Sequence, residues 1–176
     1  MELTRYASPL GTIFLAADNG ALAGLWLEGQ KYFAATLDAQ HEETMLPIFD
    51  QTRRWLDNYF GGNDPGPTPP LHLQGSPFRL AVWEILRQIP FGKTITYGEI
   101  AREIARRQGS KTVPAQAVGG AVGHNPVSII VPCHRVVGSN GSLTGYAGGI
   151  ERKVRLLALE KADMTGLFAP QKGTAL

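Results

Sequence analysis

The sequence predicts an α+β protein. An N-terminal lobe with a small antiparallel sheet and a helix precedes a mostly helical C-terminal lobe. The second lobe holds a winged-helix-like helix-turn-helix and a short strand carrying the only cysteine, Cys133. Three observations predict this. The N-terminal stretch is a series of short alternating apolar runs broken by turn dipeptides. From Ser76 onward, apolar residues recur at helical spacing instead. Between the two lies "NDPGPTPPL", the most proline-rich stretch, which reads as a linker near residues 63–70. The expected boundaries are a supporting lobe over 1–70, a second domain over 71–165 and a tail over 166–176.

Each element follows from local chemistry. "ELTRYA", "GTIFLAA" and "LAGLWLE" read as the strands of a meander, broken at "SPLG" and "DNG". Asp18-Asn19-Gly20 can supply the left-handed backbone positions of a tight hairpin. In "LPIFDQTRRWLDNYFGG", Phe49, Leu56 and Phe60, with Trp55 and Tyr59, fall at helical spacing, and Gly61-Gly62 stops the run. "GSPFRLAVWEILRQIPFGK" starts a helix at the N-cap Ser76, with Pro77 at its first position. Phe78, Val82, Ile85, Leu86 and Ile89 form its apolar face, and Pro90 and Gly92 end it. "TYGEIAREIARR" puts Ile100, Ala101, Ile104 and Ala105 on one side of a helix, and "QGSKTVP" breaks it. "AQAVGGAVGHNP" is a shorter helix closed by Gly123 and Asn125-Pro126. Two helices joined by a turn suggest a helix-turn-helix, although many helical hairpins share that pattern. "VSIIV" reads as a short buried strand, "GSNGSLTGYAGG" as a glycine-rich loop, and "IERKVRLLALEK" as a closing helix. "ADMTGLFAPQKGTAL" reads as a frayed tail.

Composition narrows the function classes. The chain is 176 residues long, 43% apolar and 18% charged, which suits one domain or two small lobes with a buried core. No apolar run approaches the ~20 residues of a membrane helix, and the N-terminus has no apolar signal core. One cysteine forms no internal disulfide, which points to a reducing compartment, the cytoplasm. Charge is unevenly placed. Residues 1–75 carry 9 acidic and 4 basic side chains, whereas residues 76–176 carry 13 basic and 6 acidic. A basic half raises the question of a polyanion, against chance clustering on solvated faces.

Three places could carry chemistry. A lone cysteine is most often a small buried hydrophobe. Cys133, however, sits in "VSIIVPCHRVVG", where Pro132 ends a ladder and His134 and Arg135 add a base and a cation. Adjacent side chains on an extended segment point apart, so a working Cys133–His134 pair needs a bend or a bridging water. Glu160 projects beside the Ile150, Val154, Leu156 and Leu157 stripe. It is either a histidine-orienting carboxylate or a snorkelling helix-end residue. Gly119-Gly120 inside a short helix costs about 1 kcal/mol per glycine relative to alanine. That suggests close backbone approach to a groove, to a sugar-phosphate chain or to another helix. No dinucleotide fingerprint, phosphate loop or zinc spacing is present, and His41, His72, His124 and His134 are scattered.

"PCHRVVGSNGSLTGYAGG" followed by "KVRLLALE", with "TYGEIA" and "AVGGAVGHNP" upstream, resembles the O6-alkylguanine-DNA alkyltransferases, also called methylated-DNA–protein-cysteine methyltransferases. The resemblance covers roughly residues 76–161 and is most specific at Pro-Cys-His-Arg. The N-terminal lobe matches only in outline. What it implies is a single-turnover repair protein. Such a protein binds duplex DNA through the minor groove, flips an O6-alkylated guanine into a pocket and takes the alkyl group onto cysteine; O4-alkylthymine is a possible second lesion. By matching position, Cys133 is the nucleophile, His134 the base acting through water, and Glu160 the carboxylate that charges His134. Asn125 supports the bend, and Tyr97 helps protonate the departing guanine. Val136 offers a carbonyl to the base; Tyr146, Ala147 and Gly148 wall the pocket. Ala115, Gln116, Ala117, Gly119, Gly120 and Arg135 are expected on DNA. No cofactor, metal or membrane is expected, and the protein is expected to act as a monomer.

The sequence departs from the family pattern in two ways. Gln116 stands where the family usually places an arginine, which lacks a counterpart here in charge and stacking surface. The turn "RRQGSKTVP" is long and carries Arg106, Arg107 and Lys111, which implies added phosphate contacts and a steep salt dependence. Two other readings stay open: a protein that recognises alkylated guanine without repairing it, and a multiple-turnover cysteine hydrolase using Cys133, His134 and Glu160.

Overall fold

The computed structural model describes residues 1–36 and 42–170. The chain divides into two compact units, one of Met1–Gln74 with Pro126–Ile130 and one of Gly75–Asn125 with Val131–Leu176. His41 and residues 171–176 of the expected tail lie outside the described residues. No described helix is long and apolar enough to cross a membrane.

The first unit is built on the expected meander. Strands β1 (Glu2–Ser8), β2 (Gly11–Asp18) and β3 (Ala21–Leu27) pair antiparallel. A two-residue strand β4 (Glu42–Glu43), not anticipated, adds parallel to β1, giving the order β3-β2-β1-β4. The β2–β3 turn places Asn19 at φ 51° and Gly20 at φ 77°. Those are the left-handed positions that an Asn-Gly pair accepts with little strain. Helix α1 (Pro47–Phe60) buries Phe49, Trp55, Leu56 and Tyr59. Beyond the proline-rich segment, the Leu22 N–H donates to the Pro70 carbonyl and the His72 N–H donates to the Leu22 carbonyl, both at 2.8 Å.

The expected strand over Val127–Val131 is not formed. Only Val127 makes a bridge, to Leu25, and Ser128 to Ile130 turn. Ile129 sits at φ 71°, a left-handed position that costs a β-branched residue on the order of 1–2 kcal/mol. Proline at 126 and 132 removes two ladder donors, and the Val131 carbonyl accepts from the Asn125 side chain rather than from a neighbouring strand.

Among the described residues the second unit holds seven further elements. Helix α2 (Pro77–Arg87) starts where expected, with the Ser76 hydroxyl accepting from the Arg79 N–H at 3.3 Å. It buries Trp83 beside Val82, Ile85 and Leu86, and the Trp83 indole donates to the Ala121 carbonyl at 2.8 Å. Strand β5 (Ile95–Thr96) runs directly into α3 (Tyr97–Gln108), whose start is locked by a reciprocal capping box between Thr96 and Glu99. Gly109, at φ 66°, ends α3, and α4 (Ala115–Gly123) follows the turn. A one-turn 3-10 segment, Cys133–Arg135, leads into β6 (Val136–Val137). β6 pairs parallel with β5, Ile95 opposite Val136 and Thr96 opposite Val137. That pairing sets the start of α3 beside the cysteine segment. Helix α5 (Ile150–Leu159) closes the unit.

The described part of the tail is not frayed. Leu143 donates to the Phe168 carbonyl and Phe168 to the Gly141 carbonyl, at 2.9 and 3.0 Å. Met164 and Leu167 pack on Val137, Leu143 and Leu157. Ending the chain at Asp163 removes these contacts. At about 1–1.5 kcal/mol per partly buried side chain, it is expected to cost about 2–3 kcal/mol, read as a lowered urea midpoint.

Candidate active site

The site is assembled where three segments meet around one carboxylate. Glu160 caps α5 and is 3% exposed. Its Oε1 lies 2.6 Å from His134 Nε2 and 2.9 Å from Arg135 Nη2. Its Oε2 lies 2.9 Å from Arg135 Nε and accepts the Gly92 N–H at 3.0 Å. Arg135 Nη1 donates to the Ile89 carbonyl at 2.7 Å, and its guanidinium sits over the Phe91 ring at 5.9 Å. The turn after α2 thus supplies an amide and a carbonyl to the same network. Gly92 has φ 76°, and a Cβ there would stand 2.9 Å from the Glu160 backbone carbonyl, so the turn approaches α5 as closely as a glycine allows.

These contacts fix protonation states. Burial pushes the Glu160 carboxyl up, but hydrogen bonds and charge from His134 and Arg135 outweigh it and hold it far below the usual carboxylate range. Burial pushes His134 down, against the pull of Glu160 and with the help of the Arg135 and Lys153 charges. A neutral imidazole facing a carboxylate through Nε2 carries its proton there, which leaves Nδ1 as the basic nitrogen.

Cys133 is 3% exposed. The Asn125 amide reaches both sides of the bend, donating to the Val131 carbonyl at 2.7 Å and to Cys133 Sγ at 3.2 Å. Burial raises the thiol's pKa, while the Asn125 hydrogen bond, the Lys153 charge and the backbone amides of Cys133 and His134 oppose it. The resting sulfur is therefore a thiol, set among groups that favour the thiolate once its proton leaves. Lys153, fully buried on α5, is a residue sequence reasoning missed. Its Nζ donates to the Val136 carbonyl and to that of Thr144, and burial lowers its pKa to about 8. A signal existed, since position 153 is three residues from Ile150 and four from Leu157, on the apolar stripe.

The remaining expected residues divide. The Tyr97 hydroxyl reaches the Thr144 carbonyl at 3.3 Å, and burial and the nearby Cys133 keep it protonated. Tyr97, Ala115, Gln116, Gly138 and Thr144 line part of a cavity of about 560 Å³; Cys133, Val136, Tyr146, Ala147 and Gly148 do not line it. Val136 is fully buried, and its carbonyl, expected on a guanine amine, is engaged by Lys153. Tyr146 is 8% exposed, its ring 6.4 Å from that of His134, and among the described residues its buried hydroxyl has no hydrogen-bond partner. Ala147 and Gly148 follow it, half-buried. On α4, Ala115, Gln116, Ala117 and Gly120 are exposed, but Gly119 is buried and presents no surface to DNA. Arg135 is likewise corrected. It is 7% exposed, and its guanidinium is spent on Glu160 and Ile89 rather than on a phosphate. Arg106 and Arg107 are both held by Glu103, at 2.7 and 2.8 Å.

A helix-turn-helix sharing a unit with a buried cysteine, a His–Glu–Arg cluster and a cavity at the helix starts defines a protein whose second unit carries one cysteine-centred site. Residues 77–162 match the family described as 6-O-methylguanine DNA methyltransferase, DNA binding domain, and residues 1–71 match its ribonuclease-like domain. The chain belongs to the 6-O-methylguanine DNA methyltransferase family. It is 40% identical over 159 residues to the methylated-DNA–protein-cysteine methyltransferase of Haemophilus influenzae, covering 90% of this chain and 85% of that one. It is 38% identical over 160 residues to the inducible methylated-DNA–protein-cysteine methyltransferase of Bacillus subtilis, covering 91% and 84%. Among solved structures, Mycobacterium tuberculosis OGT in complex with DNA is similar at a TM-score of 0.79 and 38% identity, covering 96% of this chain and 99% of that one. The expected family and α+β architecture hold.

Stability should fall in acid. Below the ordinary histidine value of 6.5 the unfolded chain takes a proton that buried His134 refuses. Below 4.5 it takes one that Glu160 refuses, so the contribution of these two groups is full above the histidine value and is lost as pH drops. Glu160→Gln, which leaves Arg135 buried without its counter-charge, is expected to cost about 3–5 kcal/mol at neutral pH. It should also flatten the lower part of the acid limb, both read from denaturant midpoints across pH.

Proposed function

We propose that the protein repairs DNA by moving the alkyl group from O6 of an alkylated guanine in duplex DNA onto Cys133, once per molecule. The observation that carries this reading is the Asn125-braced thiol beside a neutral, carboxylate-anchored His134, on the same unit as an exposed small-residue helix. The naming and bound DNA of the similar proteins support it.

The exposed face of α4, with Ala115, Gln116, Ala117 and Gly120, enters the minor groove, whose narrowness suits side chains this small. The damaged guanine is turned out of the stack, because its O6 substituent is unreachable inside it. The cavity at Tyr97 and Gln116 receives it. With Cys133 buried, entry requires the Thr144–Gly148 loop to move off Tyr97. Gly145 and Gly149, at φ 90° and 92°, are the hinge positions. The thiol proton passes through a water to His134 Nδ1, and the resulting imidazolium is stabilised by Glu160. The thiolate attacks the alkyl carbon, the S–C bond forms as the C–O6 bond breaks, and the electron pair leaves with guanine. The Tyr97 hydroxyl supplies a proton to the departing base. The thioether that remains has no base-labile bond, so the molecule is spent. One copy of the chain holds every group named, and the protein acts as a monomer.

Mixing the protein with an O6-methylguanine duplex should add one methyl, located on Cys133 by peptide mass spectrometry, and activity should stop at one equivalent. Binding without mass gain, or continued turnover, would contradict the proposal. Gln116 offers hydrogen bonds but no charge to the gap left by the flipped base. Gln116→Arg should therefore react faster with alkylated duplex in single-turnover kinetics, by roughly 5–30-fold for about 1–2 kcal/mol of added contact.

A further inference from the structure

Helix α3 and the turn that follows it carry more positive charge than the base cavity uses, and the structure sorts it into two pairs. Arg106 and Arg107 both bind Glu103, whose carboxyl they hold near pKa 2. That pairing neutralises much of their charge locally and turns both guanidiniums along the helix. Arg102 and Lys111 behave differently. Both are exposed, and among the described residues neither has a carboxylate partner. They line a cavity of about 250 Å³ together with Gly98, Thr112 and Ala115, and no acidic residue lines it.

This small cavity shares Gly98 and Ala115 with the larger one that holds Tyr97 and Gln116. The two are therefore neighbouring depressions with a common wall of two nearly side-chain-free residues. Gly98 lies against the Arg102 guanidinium, since a Cβ there would stand 3.5 Å from Nη1. Helix α4 begins at this wall behind Pro114, without a side-chain cap. Its first amides therefore add donors and partial positive charge on the same side.

We infer that Arg102, Lys111 and Thr112 form a cradle for a phosphodiester of the duplex, next to the nucleotide whose base enters the larger cavity. Two cations, a hydroxyl and a helix start, with no carboxylate among them, match the charge of a phosphate and supply the donors its oxygens accept from. This assignment rests on the alkyl-transfer reading only for what the neighbouring cavity receives. The cradle would grip undamaged DNA equally.

The test measures binding of the full-length protein to an undamaged duplex by fluorescence anisotropy across a salt series. Arg102→Gln and Lys111→Gln should each lower the log–log salt slope by about 0.9, and the double variant by about 1.8. Between 50 and 200 mM salt the wild type would then lose roughly tenfold more affinity than the double variant. Arg106→Gln and Arg107→Gln, whose guanidiniums share the single Glu103 carboxylate and do not line this cavity, should each lower the slope by clearly less than about 0.9. Unmoved slopes in the Arg102 and Lys111 variants, or slopes that drop instead with Arg106 and Arg107, would overturn the cradle. Because the duplex is undamaged, the result stands apart from alkyl transfer: failure to methylate Cys133 sinks the repair reading alone.

Discussion

The C-terminal unit is organised by one buried carboxylate that must not lose its partners. Glu160 receives the His134 imidazole, two nitrogens of Arg135 and the Gly92 amide, from positions 26, 25 and 68 residues away in sequence. A carboxylate withdrawn from water is tolerable only when its lone pairs are met, so each of those segments is constrained in position by the same charge. The turn after α2, the 3-10 segment at Cys133 and the end of α5 are thereby held in one register. Arg135 completes the arrangement by bonding the Ile89 carbonyl. Its burial explains why a basic residue next to the cysteine serves the carboxylate rather than DNA.

The thiol illustrates how burial and reactivity are reconciled. Burial alone would keep Cys133 protonated and inert. The Asn125 amide and the buried Lys153 charge work in the opposite direction, and His134 stays neutral enough to accept a proton. The result is a sulfur stable at rest and able to ionise when a base is provided. That combination suits a residue used once, because a permanently exposed thiolate would be consumed by adventitious electrophiles.

Much of this was legible in the sequence, for identifiable reasons. The meander, α1, α2, α3, α4 and α5 follow from periodicity and from local signals such as Ser76-Pro77 and Asp18-Asn19-Gly20. The Thr96–Glu99 capping box that starts α3 emerged only with the structure. What was not legible has two causes, competing local signals and long-range pairing. The Val127–Val131 run has strand composition, yet its backbone is diverted by two flanking prolines and by the Asn125 amide taking the Val131 carbonyl. The ordering of Met164, Leu167 and Phe168 comes from contacts with Leu143 and Gly141 that no local pattern announces. At the site, Cys133, His134 and Glu160 were recognisable by type and by resemblance. That the Val136 carbonyl faces Lys153, and that Gly119 is buried, required the fold.

The most direct test of the central claim is the charge and tautomer of His134, read from the imidazole nitrogen shifts of the labelled protein by NMR near neutral pH. A neutral ring protonated at Nε2, losing that state when Glu160 is replaced by glutamine, is the result the carboxylate-centred network predicts. An imidazolium at neutral pH, or a ring protonated at Nδ1 and indifferent to position 160, would contradict it.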